Sequence, residues 1–243
     1  MYVVAVPIGN FDDFTFRAIE TLKNADIIVG EERSTTEKIL KRLKIENKEI
    51  ALLNEHNEES EARALLQQII EKNYSVVLIS EAGTPCIADP GAFFVNLFHE
   101  YSLKVVPIPG VSSIMAALMV AGIAPSATFE RDEKIKGGIV TKGNFKYIGF
   151  LSQNKETRQK ELKQLNFEKI PIILLETPYR MKPFLKDIFF ICGAEKKIVF
   201  AYKLTHPEEM IIKSTVSDIL KQTENLKKGE FVVILLPSAS RIS

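Results

Sequence analysis

The 243-residue chain is 46% hydrophobic and 26% charged, with 32 basic against 31 acidic residues. That is ordinary globular composition, with room for one large domain or two small ones. The charge balance excludes a surface basic all over, so any nucleic-acid contact has to come from a local patch. Cys86 and Cys192 stand far apart, and with only His56, His99 and His206 besides them no metal-ligand spacing arises. No metal site is expected, and two lone cysteines suit a reducing compartment. No basic leader precedes Tyr2-Val3-Val4-Ala5-Val6 and no apolar run reaches membrane-span length, so a soluble cytoplasmic protein is expected.

In chain order, short runs rich in Val and Ile at Tyr2–Val6, Asp26–Val29, Val76–Ser80 and Lys104–Ile108 read as strands buried on both faces. Helical patterns lie between them. Thr15 is placed to cap a helix carrying Ala18, Ile19 and Leu22, and Ser60 another carrying Leu65, Leu66, Ile69 and Ile70. Gly91–Tyr101 and Ser112–Ala121 supply two more, so the first half is a βα repeat implying a mostly parallel sheet. In the second half, strands are expected at Pro171–Glu176, Lys197–Tyr202 and Phe231–Leu236, and helices at Lys155–Leu165, Pro178–Ile191 and Val216–Asn225. The segment Glu130–Lys146, dense in charge and glycine, reads as an exposed hairpin or excursion. The expected architecture is α/β, with two α/β domains spanning 1–123 and 124–243.

Three glycine-containing loops follow predicted strands: Pro7-Ile8-Gly9-Asn10, Glu81-Ala82-Gly83-Thr84-Pro85 and Pro109-Gly110-Val111-Ser112-Ser113. Each alone reads more readily as a tight turn. Together, on the C-terminal edge of a parallel sheet, they outline a small-ligand cleft where the backbone approaches the ligand and Ser112 stands at a helix start. The chain has no Gly-x-Gly-x-x-Gly after the first strand, no Gly-Lys-Ser/Thr loop and no Gly-x-Ser-x-Gly elbow. A ligand with little phosphate is therefore favoured over a dinucleotide or a nucleoside triphosphate.

Several runs carry a family resemblance. Tyr2 to Asn10 followed by Asp12, Asp13 and Thr15, then Glu55-His56-Asn57-Glu58, Ile79 to Gly91 and Pro107 to Ser113 resemble, in order, the ribosomal RNA ribose 2′-O-methyltransferases of the tetrapyrrole-methylase superfamily. Gly149-Phe150-Leu151, Glu176 to Arg180 and Gly229-Glu230-Phe231 are similar to weaker landmarks of the same family. The resemblance implies S-adenosylmethionine as cofactor, in a cleft between two α/β domains. It would be held by Ile8, Gly9, Ala82, Gly83, Thr84, Ile87, Ser112 and Ser113, with Ile148 and Thr177 closing from the second domain. It also implies a homodimer and a substrate in 16S rRNA or the small ribosomal subunit, a cytidine ribose in the decoding region. Three runs depart from the pattern: Glu31-Glu32-Arg33-Ser34, with its Arg one place early, Gly149-Phe150-Leu151-Ser152, and Tyr202-Lys203-Leu204-Thr205.

Methyl transfer to a ribose hydroxyl needs alignment, exclusion of water and a proton acceptor, and no metal. Glu81, Glu32 and Glu31, at expected strand ends, are the candidate bases; Glu31 and Glu32 read equally as acids at a helix N-terminus. His56 and Asn57 are substrate-side candidates in a family run, and His56 also fits a structural role. Arg180 suits a phosphate contact or an ion pair. Two basic groups, one of Lys38, Lys41 and Arg42 with Lys44 and Lys48 behind, the other of Lys155, Arg158, Lys160 and Lys163 with Lys142 and Lys146, are either RNA contacts or solvated helix faces. Two other functions fit the same fold: a methyltransferase acting on a small tetrapyrrole-like molecule, and a cofactor-binding module without catalysis.

Overall fold

The computed structural model describes residues 1–54, 56–125, 139–141 and 144–237. The chain divides into two compact units, Met1–Ser112 and Ser113–Ser243.

The first unit runs β1 (Tyr2–Val4), α1 (Phe16–Asn24), β2 (Ile27–Gly30), α2 (Arg33–Arg42), β3 (Glu49–Leu52), α3 (Glu58–Lys72), β4 (Val76–Leu78), α4 (Ala92–Glu100) and β5 (Val106–Ile108). Its sheet has the order β3-β2-β4-β1-β5, with every pairing parallel. Alternation along the strands divides the core into two. Val4, Ile28, Val77 and Ile108 pack with residues of α1 and α2; Ile27, Val29, Val76 and Leu78 pack with α3 and α4. Both faces are therefore covered, which is why these strands carry unbroken apolar runs. The adjacent strands β1 and β4 send their outgoing helices, α1 and α4, to opposite faces. In doubly wound sheets such divergence marks the C-terminal strand ends as the usual ligand position.

Local signals explain the helix ends. The Thr15 hydroxyl accepts from the Ala18 amide at 3.1 Å and starts α1. At the other end, Lys48 Nζ donates to the Lys23 and Ala25 carbonyls at 2.5 and 2.6 Å, so this lysine caps α1 instead of extending a basic patch. Ser60, expected as a cap, lies inside α3; Asn57 is the capping residue, and Glu58, Glu59 and Glu61 fill the first turn, where the helix dipole favours acids.

The second unit runs α5 (Ser113–Val120), β6 (Ile123–Pro125), β7 (Ile139–Thr141), β8 (Lys146–Phe150), α6 (Lys155–Leu165), β9 (Ile172–Glu176), α7 (Met181–Cys192), β10 (Lys197–Tyr202), β11 (Met210–Thr215), α8 (Val216–Gln222) and β12 (Phe231–Leu235). The five-stranded sheet has the order β11-β10-β12-β9-β8, antiparallel except for β8 beside β9. β6 and β7 form a separate parallel pair. Leu162, Phe184, Ile188 and Ile219 from the helices meet Ile172, Leu174, Phe200 and Val233 of the sheet in one core, and α5 packs on β12. The expected excursion at Glu130–Lys146 falls largely outside the described residues. Its described end, Lys146, opens β8 and pairs with Glu168 at 2.9 Å.

Candidate active site

The three glycine loops of the first unit are tied into one surface. Val6 and Gly83 exchange both backbone hydrogen bonds, at 2.8 and 3.0 Å. The Thr84 hydroxyl donates to the Val111 carbonyl at 2.9 Å, joining the second loop to the third, and the Ala5 amide donates to the Ile108 carbonyl at 3.2 Å. Gly83 is held at φ +79°, and a Cβ there would stand 3.2 Å from Ile8 Cγ2. Only glycine fits that position without strain. Gly83 is buried, while Ile8, Gly9, Thr84 and Ser112 are partly exposed and Ala82 and Ile87 open to solvent. Backbone groups and small or apolar side chains thus line this edge, a chemistry suited to an organic ligand with little phosphate. Ser112 ends the first unit and Ser113 opens α5.

Beside these loops lies a group of carboxylates. Glu81, after β4, has as its charged neighbour Glu32, the residue at the N-terminal cap position of α2. Two carboxylates this close repel each other, which favours the protonated form of Glu81. Burial pushes the Glu81 carboxyl up, and the neighbouring Glu32 charge adds to it. The Thr35 hydroxyl donates to Glu81 Oε1 at 3.4 Å. Asp89, further along the same loop, is pushed up to about 6, by burial first and then by Glu31 and Glu81. The loop that presents it is strained: Cys86 and Ala88 are non-glycine residues at φ 65° and 63°. Such conformations persist where the surroundings fix them, often at functional sites. Gly30 permits the approach of α2 to this edge, because a Cβ there would lie 2.1 Å from Thr36 Oγ1.

The Glu55-His56-Asn57-Glu58 run, described from His56 onward, is organised around loop structure. The Asn57 side chain accepts from the Asn54 amide at 2.8 Å and donates to the Leu52 carbonyl at 3.4 Å. Glu58 Oε1 accepts from the amides of Gly91, Phe93 and Phe94 at 2.9, 2.9 and 3.3 Å. The first turn of α4 is thereby capped from another helix, which fixes the end of the 79–91 loop. His56 is exposed on the turn before α3.

With that geometry in hand, the family described as Tetrapyrrole (Corrin/Porphyrin) Methylases matches residues 1–220. The chain belongs to the tetrapyrrole methylase family. It is 34% identical over 236 residues to the ribosomal RNA small subunit methyltransferase I of Synechocystis sp., covering 97% of this chain and 78% of that one. It is 33% identical over 236 residues to the protein of the same name in Bacillus subtilis, covering 97% and 74%. Among solved structures, the uroporphyrin-III C-methyl transferase of Thermus thermophilus complexed with S-adenyl homocysteine superposes at a TM-score of 0.60. It shares 15% identity and covers 96% of this chain and 95% of that one, a likeness of fold alone.

In this tetrapyrrole methylase fold the second-unit residues singled out by sequence lie around the ends of β8 and β9. Ile148 is half-buried in β8, and Thr177 follows β9 with its amide donating to Glu176 Oε1 at 2.6 Å. Arg180 forms an ion pair at 2.7 Å with the same oxygen of Glu176, whose side chain is fully buried. Arg180 also donates to the Ser152 carbonyl at 3.4 Å. The ion-pair reading of Arg180 therefore has direct geometric support.

The two basic groups separate differently from their sequence grouping. Lys38 and Arg42 are exposed one turn apart on α2, and the Arg42 guanidinium sits 4.3 Å from the centre of the Phe11 ring, a cation–π contact that holds its direction. Arg158 is buried. It makes two hydrogen bonds to Asp187 Oδ2, at 2.9 and 2.7 Å, and donates to the Ser152 and Gln153 carbonyls. It is a core residue and no RNA contact. Sequence reasoning also passed over Asp89 and the capping role of Glu58. Both lie inside family runs, but their roles depend on contacts between distant loops.

Proposed function

We propose that the chain transfers the methyl group of S-adenosylmethionine to the 2′ hydroxyl of a cytidine ribose in the decoding region of 16S rRNA, acting as a cytoplasmic homodimer. The observation that carries the substrate is the 34% identity, over 97% of this chain, to a relative named ribosomal RNA small subunit methyltransferase I. The structural likeness to a uroporphyrin-III C-methyl transferase is less than half as close in identity, at 15% against 34%, and favours no second reading.

The cofactor fits the loops of the first unit. Ile8 and Ile87 offer apolar walls, Gly9 and Ala82 offer backbone, Gly83 keeps the loop close against Ile8, and Ser112 offers a hydroxyl, with Ser113 next in the chain at the start of α5. When bound, S-adenosylmethionine supplies a methyl carbon already activated by positive sulfur. The chain's own task is then to orient the ribose, exclude water and receive a proton. Glu81 is assigned that last role, with Glu32 and Glu31 as its neighbours. A carboxylate whose pKa is raised by burial and by a neighbouring like charge, as Glu81 is beside Glu32, is a stronger base than a solvated one. Asp89 reinforces the same negative field. Lys38 and Arg42 are assigned to phosphate contacts, where they give affinity that falls with salt. His56 and Asn57 serve the substrate side through the loop that Asn57 holds.

The test offers labelled S-adenosylmethionine with two acceptors, unmodified small ribosomal subunits and a uroporphyrin-type tetrapyrrole. Incorporation into the RNA alone is expected. Incorporation into the tetrapyrrole alone overturns the substrate, and cofactor binding without incorporation into either overturns the reaction.

A further inference from the structure

The second unit carries a groove between α6 and α7 that the proposed chemistry does not use, and of its lysines only Lys155 belonged to a basic group drawn from the sequence. Lys182, Lys186 and Phe190 follow one another at intervals of four along α7 and so form one stripe on its surface. Lys155, at the first position of α6, faces the same groove, where the positive end of the helix dipole adds to its charge. Asp187 is the one acid lining the groove. Both of its oxygens are engaged, one by Arg158 and the other by Gln159 Nε2 at 2.8 Å. Among the described residues no ion pair involves Lys155, Lys182 or Lys186. Lys182 instead donates to the Glu224 carbonyl at 2.7 Å, which fixes its ammonium in place.

Phe190 stands at the end of this stripe with 74% of its surface exposed. It is not a loose side chain. Phe189, packed partly into the core, meets its ring edge-on at 5.4 Å and 90°, which sets the direction in which the open face points. An exposed aromatic in line with unpaired cations is the arrangement that binds single-stranded nucleic acid, with phosphates on the lysines and a base on the ring. A protein partner of equal charge complementarity would need a row of acids; RNA supplies a regular row of phosphates and a stacking face together.

We propose that the α6–α7 groove is a second RNA-binding surface, which holds an unpaired stretch of the substrate RNA through Lys155, Lys182 and Lys186 and stacks one base on Phe190. This rests on the reading of the chain as an RNA methyltransferase and adds a surface for substrate affinity, apart from the reacting residues.

The test uses the full chain, fluorescently labelled small-subunit rRNA and a salt titration. Lys155→Glu with Lys186→Glu should raise the Kd at least tenfold near physiological salt. It should also flatten the slope of log affinity against log salt by about 1.4 to 1.8, the share of two phosphate contacts. Phe190→Ala should weaken binding about fivefold or more and leave the slope unchanged, since stacking releases no counterions. S-adenosylhomocysteine affinity, measured by calorimetry, should stay at the wild-type value in both variants. Wild-type RNA affinity and salt slope in the two variants overturn the proposal. So does a wild-type dimer that Phe190→Ala converts to monomer in sedimentation while RNA binding is unchanged, since the stripe would then be a contact between copies. Absence of methyl transfer by the wild-type chain would remove the proposed reaction but leave these binding readouts intact, so the two failures are distinguishable.

Discussion

Val6 and Gly83 exchange a pair of backbone hydrogen bonds, at 2.8 and 3.0 Å, between loops that follow adjacent parallel strands. This bridge continues the β1–β4 pairing past the ends of the strands, reversed in direction, and locks two of the three glycine loops together. It depends on Gly83 keeping φ +79° with Ile8 Cγ2 beside it. Gly83→Ala should therefore cost about 1–2 kcal/mol of stability and weaken S-adenosylhomocysteine binding by roughly tenfold, about 1.4 kcal/mol. Thermal unfolding and calorimetry measure the two effects. Unchanged cofactor affinity in a destabilised variant would remove this loop from the cofactor site.

Glu58 satisfies amides of Gly91, Phe93 and Phe94 at the start of α4. Glu58→Ala leaves those donors without their carboxylate, and a loss of about 1–2 kcal/mol is expected. Glu58→Gln, which keeps an acceptor without the charge, should lose less. Urea unfolding of the two variants decides: equal losses would mean that the cap acts through packing instead.

Asp89 supplies a pH signature. Its carboxyl ionises near 3.8 when unfolded and near 6 in the fold. Between those values the folded chain binds more protons, so its contribution to stability falls as pH rises through that window and stays reduced above it. Asp89→Asn removes the ionisation, so at pH 8 the variant should exceed wild type by about 1 kcal/mol, with solvent screening allowed for. The advantage should shrink as pH falls toward 5. A difference constant with pH would contradict this environment for Asp89.

Arg158 and Asp187 are both buried and bonded at 2.7 Å. Arg158→Ala strands a buried carboxylate, so a loss of about 3–5 kcal/mol is expected, while replacing both partners by apolar residues should cost much less. If Arg158→Ala instead folded normally and only weakened RNA binding, the basic group drawn from the sequence would be right and the buried pair irrelevant.

The central strands were legible from sequence because each is covered on both faces and so carries a continuous apolar run, as in Val76-Val77-Leu78. The strands β3, β8 and β11 were not, and all three are sheet edges. Glu49–Leu52 is half-exposed, Met210–Thr215 has no fully buried residue and is polar from Lys213 on, and β8 shifts register between Tyr147 and Gly149, with Gly149 at φ 78°. An edge strand has a neighbour on one side only and so is less completely buried, although β5, also an edge, kept enough apolar residues to be read. The site divides in the same way. The glycine loops were readable because backbone approach demands particular residues. The nearness of Glu32 to Glu81, the rise of Asp89 and the burial of Arg158 arise from side chains far apart in the chain, and no local pattern encodes them.

The account stands most directly on where the methyl group goes. Small ribosomal subunits lacking the modification would be incubated with the chain and labelled S-adenosylmethionine, and the RNA digested to nucleosides and mapped by mass spectrometry. A single 2′-O-methylcytidine in the decoding region, lost or slowed at least a hundredfold, about 2.7 kcal/mol, in Glu81→Gln, is the result expected. Label on a base, or no label although the chain binds the cofactor, would contradict it.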